Sequence, residues 1–110
     1  MKNRIERINK LIKEKIAEIL LKEIFVKDIL ITVQDVNTTK DLKHAKIKVS
    51  VMPFEKSGQI LRILKKQTPN IQRILNGVIR IKFVPRINFE IDASEETADR
   101  IEEILRKLKN

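Results

Sequence analysis

The sequence predicts an α+β fold in which a three-stranded sheet carries helices packed on one face, in the order α-β-β-α-α-β-α. Three observations carry that prediction. Apolar residues recur at spacings of three and four near the N-terminus, past residue 57 and past residue 95, the period of helices with one buried face. Residues 45–51 alternate strictly between apolar and polar, the period of a half-buried strand. The chain has 110 residues, 42% of them hydrophobic, which suits a single domain over residues 1–110 with its own core.

The first helix is expected over residues 3–24. Ile5, Ile8, Ile12, Ile16, Ile19 and Leu20 fall on one face, and Glu6, Arg7, Lys10, Lys13 and Glu14 on the other. Residues 25–28 lead out of it. A first strand follows over residues 29–33, with Ile29, Ile31 and Val33 on one face. Residues 37–41 form a polar turn. In the second strand Ala45, Ile47, Val49 and Val51 point inward and Lys46, Lys48 and Ser50 outward, so the pair reads as an antiparallel hairpin that Pro53 ends.

A helical pattern then covers residues 57–66, with Ile60, Leu61, Ile63 and Leu64 apolar. Thr68-Pro69 interrupts it, since proline disfavours helical geometry in the residue before it. A second piece carries Ile71, Ile74, Leu75 and Val78, and Asn76-Gly77 reads as its left-handed cap. The third strand is expected over residues 81–92, with Ile81, Phe83, Ile87, Phe89 and Ile91 facing the core. Pro85 inside it marks an edge or a bulge. The last helix runs over about residues 95–108, capped by Ser94. Its expected buried stripe is Ala98, Ile101, Ile104, Leu105 and Leu108.

Charge bounds the function. The chain carries 24 Lys+Arg against 15 Asp+Glu, a net charge of +9. Such an excess points to a polyanion: nucleic acid, or less often an anionic membrane surface. Residues 1–27 hold a net +4 and residues 55–92 a net +5, whereas residues 93–110 hold −1. With no cysteine, a disulfide scaffold or thiolate metal site is excluded. His44 is the sole histidine and reads as a surface or packing residue; no metal site is expected. Asp41 reads as organising its turn and Asp92 as ending a strand. No phosphate loop, dinucleotide fingerprint or nucleophile elbow is present, so catalysis and a cofactor are not expected. Residues 1–4 lead into a charged amphipathic stretch rather than a signal-peptide core. No apolar run approaches the ~20 residues that cross a bilayer, so a cytoplasmic location without a membrane partner is expected.

Aromatic platforms on an open sheet are not expected, because Phe83 and Phe89 share the core-facing parity of Ile81, Ile87 and Ile91. A Gly-x-x-Gly clamp is missing, since the only glycines are Gly58 and Gly77. Phosphate contact with a folded RNA surface remains.

From about Arg7 to Ile104 the chain resembles the ribosome-binding factor A family. Arg7-Ile8 with residues 15–20 and Glu23-Ile24 carry the match in the first helix. Val33, Val36 and residues 40–51, with their Asp-Leu-x-x-Ala-Lys signature at 41–46, carry it in the hairpin. Residues 80–89, Asp92 and Ser94 carry it in the third strand. The resemblance implies a type II KH-like fold. It implies an assembly factor that binds the immature 30S ribosomal subunit and its 16S rRNA precursor and assists late maturation and processing of that RNA. Release before translation and a link to growth in the cold are also implied, with a GTPase or another release factor acting on the complex and no cofactor. A monomer is expected. The family's Ala-x-Gly kink between the central helix pieces is replaced here by Gln67-Thr68-Pro69, and its Asp-Pro in the first loop by residues 26–29. Lys46, Arg80 and Lys82 match the family pattern as phosphate contacts; Arg7, Lys48, Lys65, Lys66, Arg73 and Arg86 join them by charge clustering. Two other classes stay open: a KH-like RNA binder outside ribosome assembly, and a protein–protein adaptor whose basic charge is incidental.

Overall fold

The computed structural model describes the backbone of residues 2–93 and 95–109 and the side chains of residues 4–93 and 102–109. The elements are α1 (Lys2–Glu23), β1 (Leu30–Thr38), β2 (His44–Met52), a 3-10 turn (Phe54–Lys56), α2 (Ser57–Val78), β3 (Arg86–Ile91) and α3 (Glu95–Lys109). The sheet order is β1-β2-β3. β1 and β2 form the antiparallel hairpin, and β3 lies parallel to β2 after the α2 crossover. No helix among the described residues is long and apolar enough to cross a membrane.

The core lies between α1, α2 and one face of the sheet. Ile12, Ile16, Ile19 and Leu20 from α1 meet Ile60, Leu64, Ile71 and Leu75 from α2 over Ala45, Ile47, Val49, Val51, Ile87 and Phe89. Ile12 and Ile16 are completely buried, so cutting either to alanine costs about 2–5 kcal/mol. Both helices cover the same side of the sheet, which leaves the other side open to solvent.

Several expectations are corrected. β1 runs on to Thr38 instead of stopping at Val33, because a bulge between Val33 and Asp35 inserts one extra residue. That insertion resets the parity, so Val33 and Val36, three apart, both reach the core. The turn consequently moves to residues 39–43.

The expected break at Thr68-Pro69 does not occur. α2 is one helix with Pro69 inside, and the middle of the order is one helix rather than two. Ile60, Leu64, Ile71 and Leu75 stay on one buried face throughout. Their burial outweighs the roughly 3 kcal/mol that an interior proline costs. The Thr68 hydroxyl donates to the Leu64 carbonyl at 2.7 Å. Gly77 is helical rather than a left-handed cap; α2 ends when the Ile79 N–H bonds the Leu75 carbonyl and Ile79 turns extended.

The third strand begins at Arg86, not at residue 81, since Pro85 cannot donate to a ladder. Phe83 therefore escapes the alternation that buries Ile87 and Phe89, and it is exposed. Leu108 of α3 is 74% exposed rather than part of a buried stripe. Ser94 and the side chains of Ala98 and Ile101 lie outside the described residues.

Candidate nucleic-acid interface

At one end of the molecule three segments far apart in sequence come together: the start of α1, the β1–β2 turn and the α2–β3 connection. Two adjoining grooves run between them. The first is lined by Arg4, Arg7, Ile8, Leu42, Ile81, Lys82 and Phe83. The second, about 650 Å³ in volume, is lined by Asp41, Leu42, Lys43, His44, Phe83, Val84 and Arg86. Leu42 and Phe83 belong to both.

The β1–β2 turn is held tightly for its length. The Thr39 N–H donates to the His44 carbonyl at 2.8 Å, and the Leu42 N–H to the Thr39 carbonyl at 2.9 Å. Asp41 accepts from the Thr39 hydroxyl and, at 3.0 Å, from the Lys43 N–H. Those two hydrogen bonds, the hydroxyl's first, hold the Asp41 carboxyl below its ordinary range, helped by the positive charge of Lys43. Asp41 thus organises its turn, as expected from the sequence. The turn in exchange keeps Leu42 at φ 62°, a left-handed conformation unusual for a branched residue.

The α2–β3 connection is fixed from two sides. The Arg86 N–H donates to the Lys43 carbonyl at 2.9 Å and ties the connection to the turn. On the outer edge of β3, Gln72 of α2 acts as a substitute strand. It accepts from the Ile87 N–H at 2.8 Å and donates to the Pro85 carbonyl at 3.1 Å. Asn9 of α1 accepts from the N–H and hydroxyl of Thr38, at 3.0 and 2.6 Å, and holds the helix start beside the hairpin end.

The nine cations expected to contact phosphate divide into three groups. Arg7 and Lys82 line the first groove and Arg86 the second, all exposed. Arg80 is exposed just past α2. Lys46 and Lys48 point outward on the open sheet face, as the alternation requires. There both meet Glu90, at 3.4 and 3.8 Å, and Lys48 stands opposite Asp35. Glu90 and Asp35 dilute the positive charge of that face. Lys82 is outward but not on the sheet, because the connection before Pro85 is not a strand. Lys65, Lys66 and Arg73 sit on the solvent side of α2, across the core from Lys46 and Lys48; Arg73 donates to Asn70 at 2.8 Å.

Sequence reading missed Arg4, Lys43 and Phe83 as members of this surface. Arg4 had a signal, lying one turn before Arg7 on the same helix. Phe83 had one too: Pro85 ends ladder pairing, so the parity counted across it carries no information. Nothing local marks Lys43; the Arg86–Lys43 backbone bond brings it there. His44 is exposed at the start of β2.

Comparison with known proteins fits this architecture. The family model for ribosome-binding factor A matches residues 4–105. A ribosome-binding factor A from Dictyoglomus thermophilum is 43% identical over 114 residues, covering 99% of this chain and 91% of its own. One from Halothermothrix orenii is 36% identical over 110 residues, covering 98% and 90%. The crystal structure of ribosome-binding factor A from Thermus thermophilus superposes with a TM-score of 0.67 at 22% identity, over 79% of this chain and 94% of that one. That likeness shows the fold, which is α+β and KH-like. By the family match and the identity to these relatives over nearly its whole length, the chain belongs to the ribosome-binding factor A family.

Proposed function

We propose that this protein binds the immature 30S ribosomal subunit in the cytoplasm as a monomer. There it grips folded 16S rRNA through backbone phosphates and assists late maturation and processing of that RNA. The observation that carries the reading is the joining of Arg4, Arg7, Lys43, Lys82 and Arg86 around two adjoining grooves, on a chain of net charge +9. Cations held on three tied segments present fixed positive charge, and such charge finds phosphates with little sequence preference. Arg7, Lys82 and Arg86, with Arg80 beside them, are the central contacts. Lys46 and Lys48 extend the surface across the open sheet, where phosphate displaces Glu90 as their partner. Lys65, Lys66 and Arg73 face another direction and meet a second RNA segment.

Release by a GTPase or another factor suits such a grip, because exposed charge contacts break one at a time. Sedimentation of the protein with ribosomal particles tests the proposal. Migration with small-subunit particles, lost when salt is raised, supports it; migration only in the free fractions rules it out.

A protein partner has one observation in its favour. At the far end of α1, Leu21 and Phe25 are 81% and 86% exposed beside Leu30, an apolar surface apart from the two cation-lined grooves. Complex formation that is insensitive to salt and abolished by Phe25→Glu would support that alternative.

A further inference from the structure

We propose that the Phe83 ring is a stacking platform for an unpaired base of a single-stranded RNA segment. The inference rests on the RNA-binding reading above and names the form of RNA the site takes. Phe83 is 70% exposed, although a ring of this size gains most by burial. It forms the wall common to both grooves. Arg4, Arg7 and Lys82 lie on one side of it, and Lys43 and Arg86 on the other. A strand crossing from one groove to the next passes over the ring with cations on both flanks to receive its phosphates. Aromatic faces set in a cationic track are how proteins hold single strands, because every base has a face to stack.

The details agree. The Lys82 ammonium lies 5.5 Å from the ring centroid and covers at most one face. The larger groove, about 650 Å³, falls within the roughly 300–1,000 Å³ of small-molecule sites, so a nucleoside fits beside the ring. The acidic group lining that groove, Asp41, has its Oδ1 engaged by the Thr39 hydroxyl and the Lys43 N–H. Leu42, the other residue common to both grooves, is fixed by the turn. Duplex RNA offers no free base face, and an apolar protein anchor has no use for five surrounding cations.

The experiment uses the full chain, a labelled oligouridylate of about eight nucleotides, and an RNA hairpin of matched phosphate number, read by fluorescence anisotropy. Phe83→Ala removes an exposed ring and leaves the core intact, which circular dichroism verifies. It should weaken single-strand binding roughly five- to 150-fold and leave hairpin binding and the salt slope unchanged. Phe83→Trp introduces the chain's only indole, since the protein has neither Trp nor Tyr. That indole should be quenched by the single strand and not by the hairpin. Single-strand affinity within twofold of the parent for Phe83→Ala overturns the proposal, as does equal loss on both RNAs. A loss confined to whole ribosomal subunits, with neither RNA affected, overturns it in favour of a protein anchor. If binding loses its salt dependence altogether, the backbone grip itself fails; steep salt dependence with an indifferent Phe83→Ala removes only the stacking.

Discussion

Replacing Gln72 with leucine tests how the fold holds the interface in place. β3 is an outer strand, paired with β2 on one edge only. On its other edge the Ile87 N–H and the Pro85 carbonyl would be bare, and the Gln72 side-chain amide satisfies both, at 2.8 and 3.1 Å. Leucine keeps the volume and removes both bonds, together with the exposed one that Gln72 donates to Asn76. Each is worth about 1 kcal/mol net, and Ile87 and Pro85, which are left behind, are both buried, so the expected loss is at least about 2 kcal/mol. Gln72→Glu keeps an acceptor for Ile87 and loses the donor to Pro85, so it should fall about midway. Urea unfolding followed by circular dichroism measures the global loss. Amide exchange at Ile87 measures the local one, which at about 2 kcal/mol is roughly thirtyfold faster exchange. A loss under about 0.5 kcal/mol with unchanged Ile87 exchange would refute the claim that this amide anchors the approach to β3.

Three further predictions follow from α2 and the turn. Gly77 is helical with nothing within 4 Å of an added Cβ, so Gly77→Ala should stabilise the protein by about 0.5–1 kcal/mol in thermal unfolding; destabilisation would restore the left-handed cap. Pro69→Ala should raise the melting temperature by several degrees through about 1–3 kcal/mol, since the helix is continuous and the alanine N–H gains a partner; a lower melting temperature would mean the proline geometry is itself needed. Asp41 is held below its ordinary value of 3.8, so its contribution is present above that pH and fades as acid titrates it. Asp41→Asn should therefore narrow the gap in stability between pH 7 and pH 3, and an unchanged gap would show that the Thr39 and Lys43 bonds do not favour the carboxylate.

Most of the scaffold is legible in local pattern. The spacing of Ile12, Ile16, Ile19 and Leu20 locates α1 to within a residue, and alternation across Ala45 to Val51 orients β2. Pattern fails where a local signal competes with a distant one. Pro69 and Gly77 signal helix ends, but burial on both sides of the proline keeps the helix running. The β1 bulge is invisible because Gln34 and Asp35 read as the end of a strand. Phe83 misleads for the opposite reason: its parity matches the core, yet no strand exists to enforce it.

The candidate interface is less legible than the scaffold. Arg7, Lys82 and Arg86 are each visible as cations, but their proximity is a property of topology. It depends on the turn, the Arg86–Lys43 backbone bond and the Gln72 anchor. Alternation places Lys46 and Lys48 outward, while their common partner Glu90 depends on the parallel register of β3, which no local pattern encodes.

The central claim is that the clustered cations at the groove end grip ribosomal RNA through its backbone. Its most direct test is the salt dependence of affinity for purified small subunits, compared between the parent and Arg7→Glu/Lys82→Glu. Two lost phosphate contacts should weaken binding at every salt concentration and flatten the slope of log affinity against log salt by about 1.4–1.8. Parent-like affinity and slope in the double variant would contradict the account.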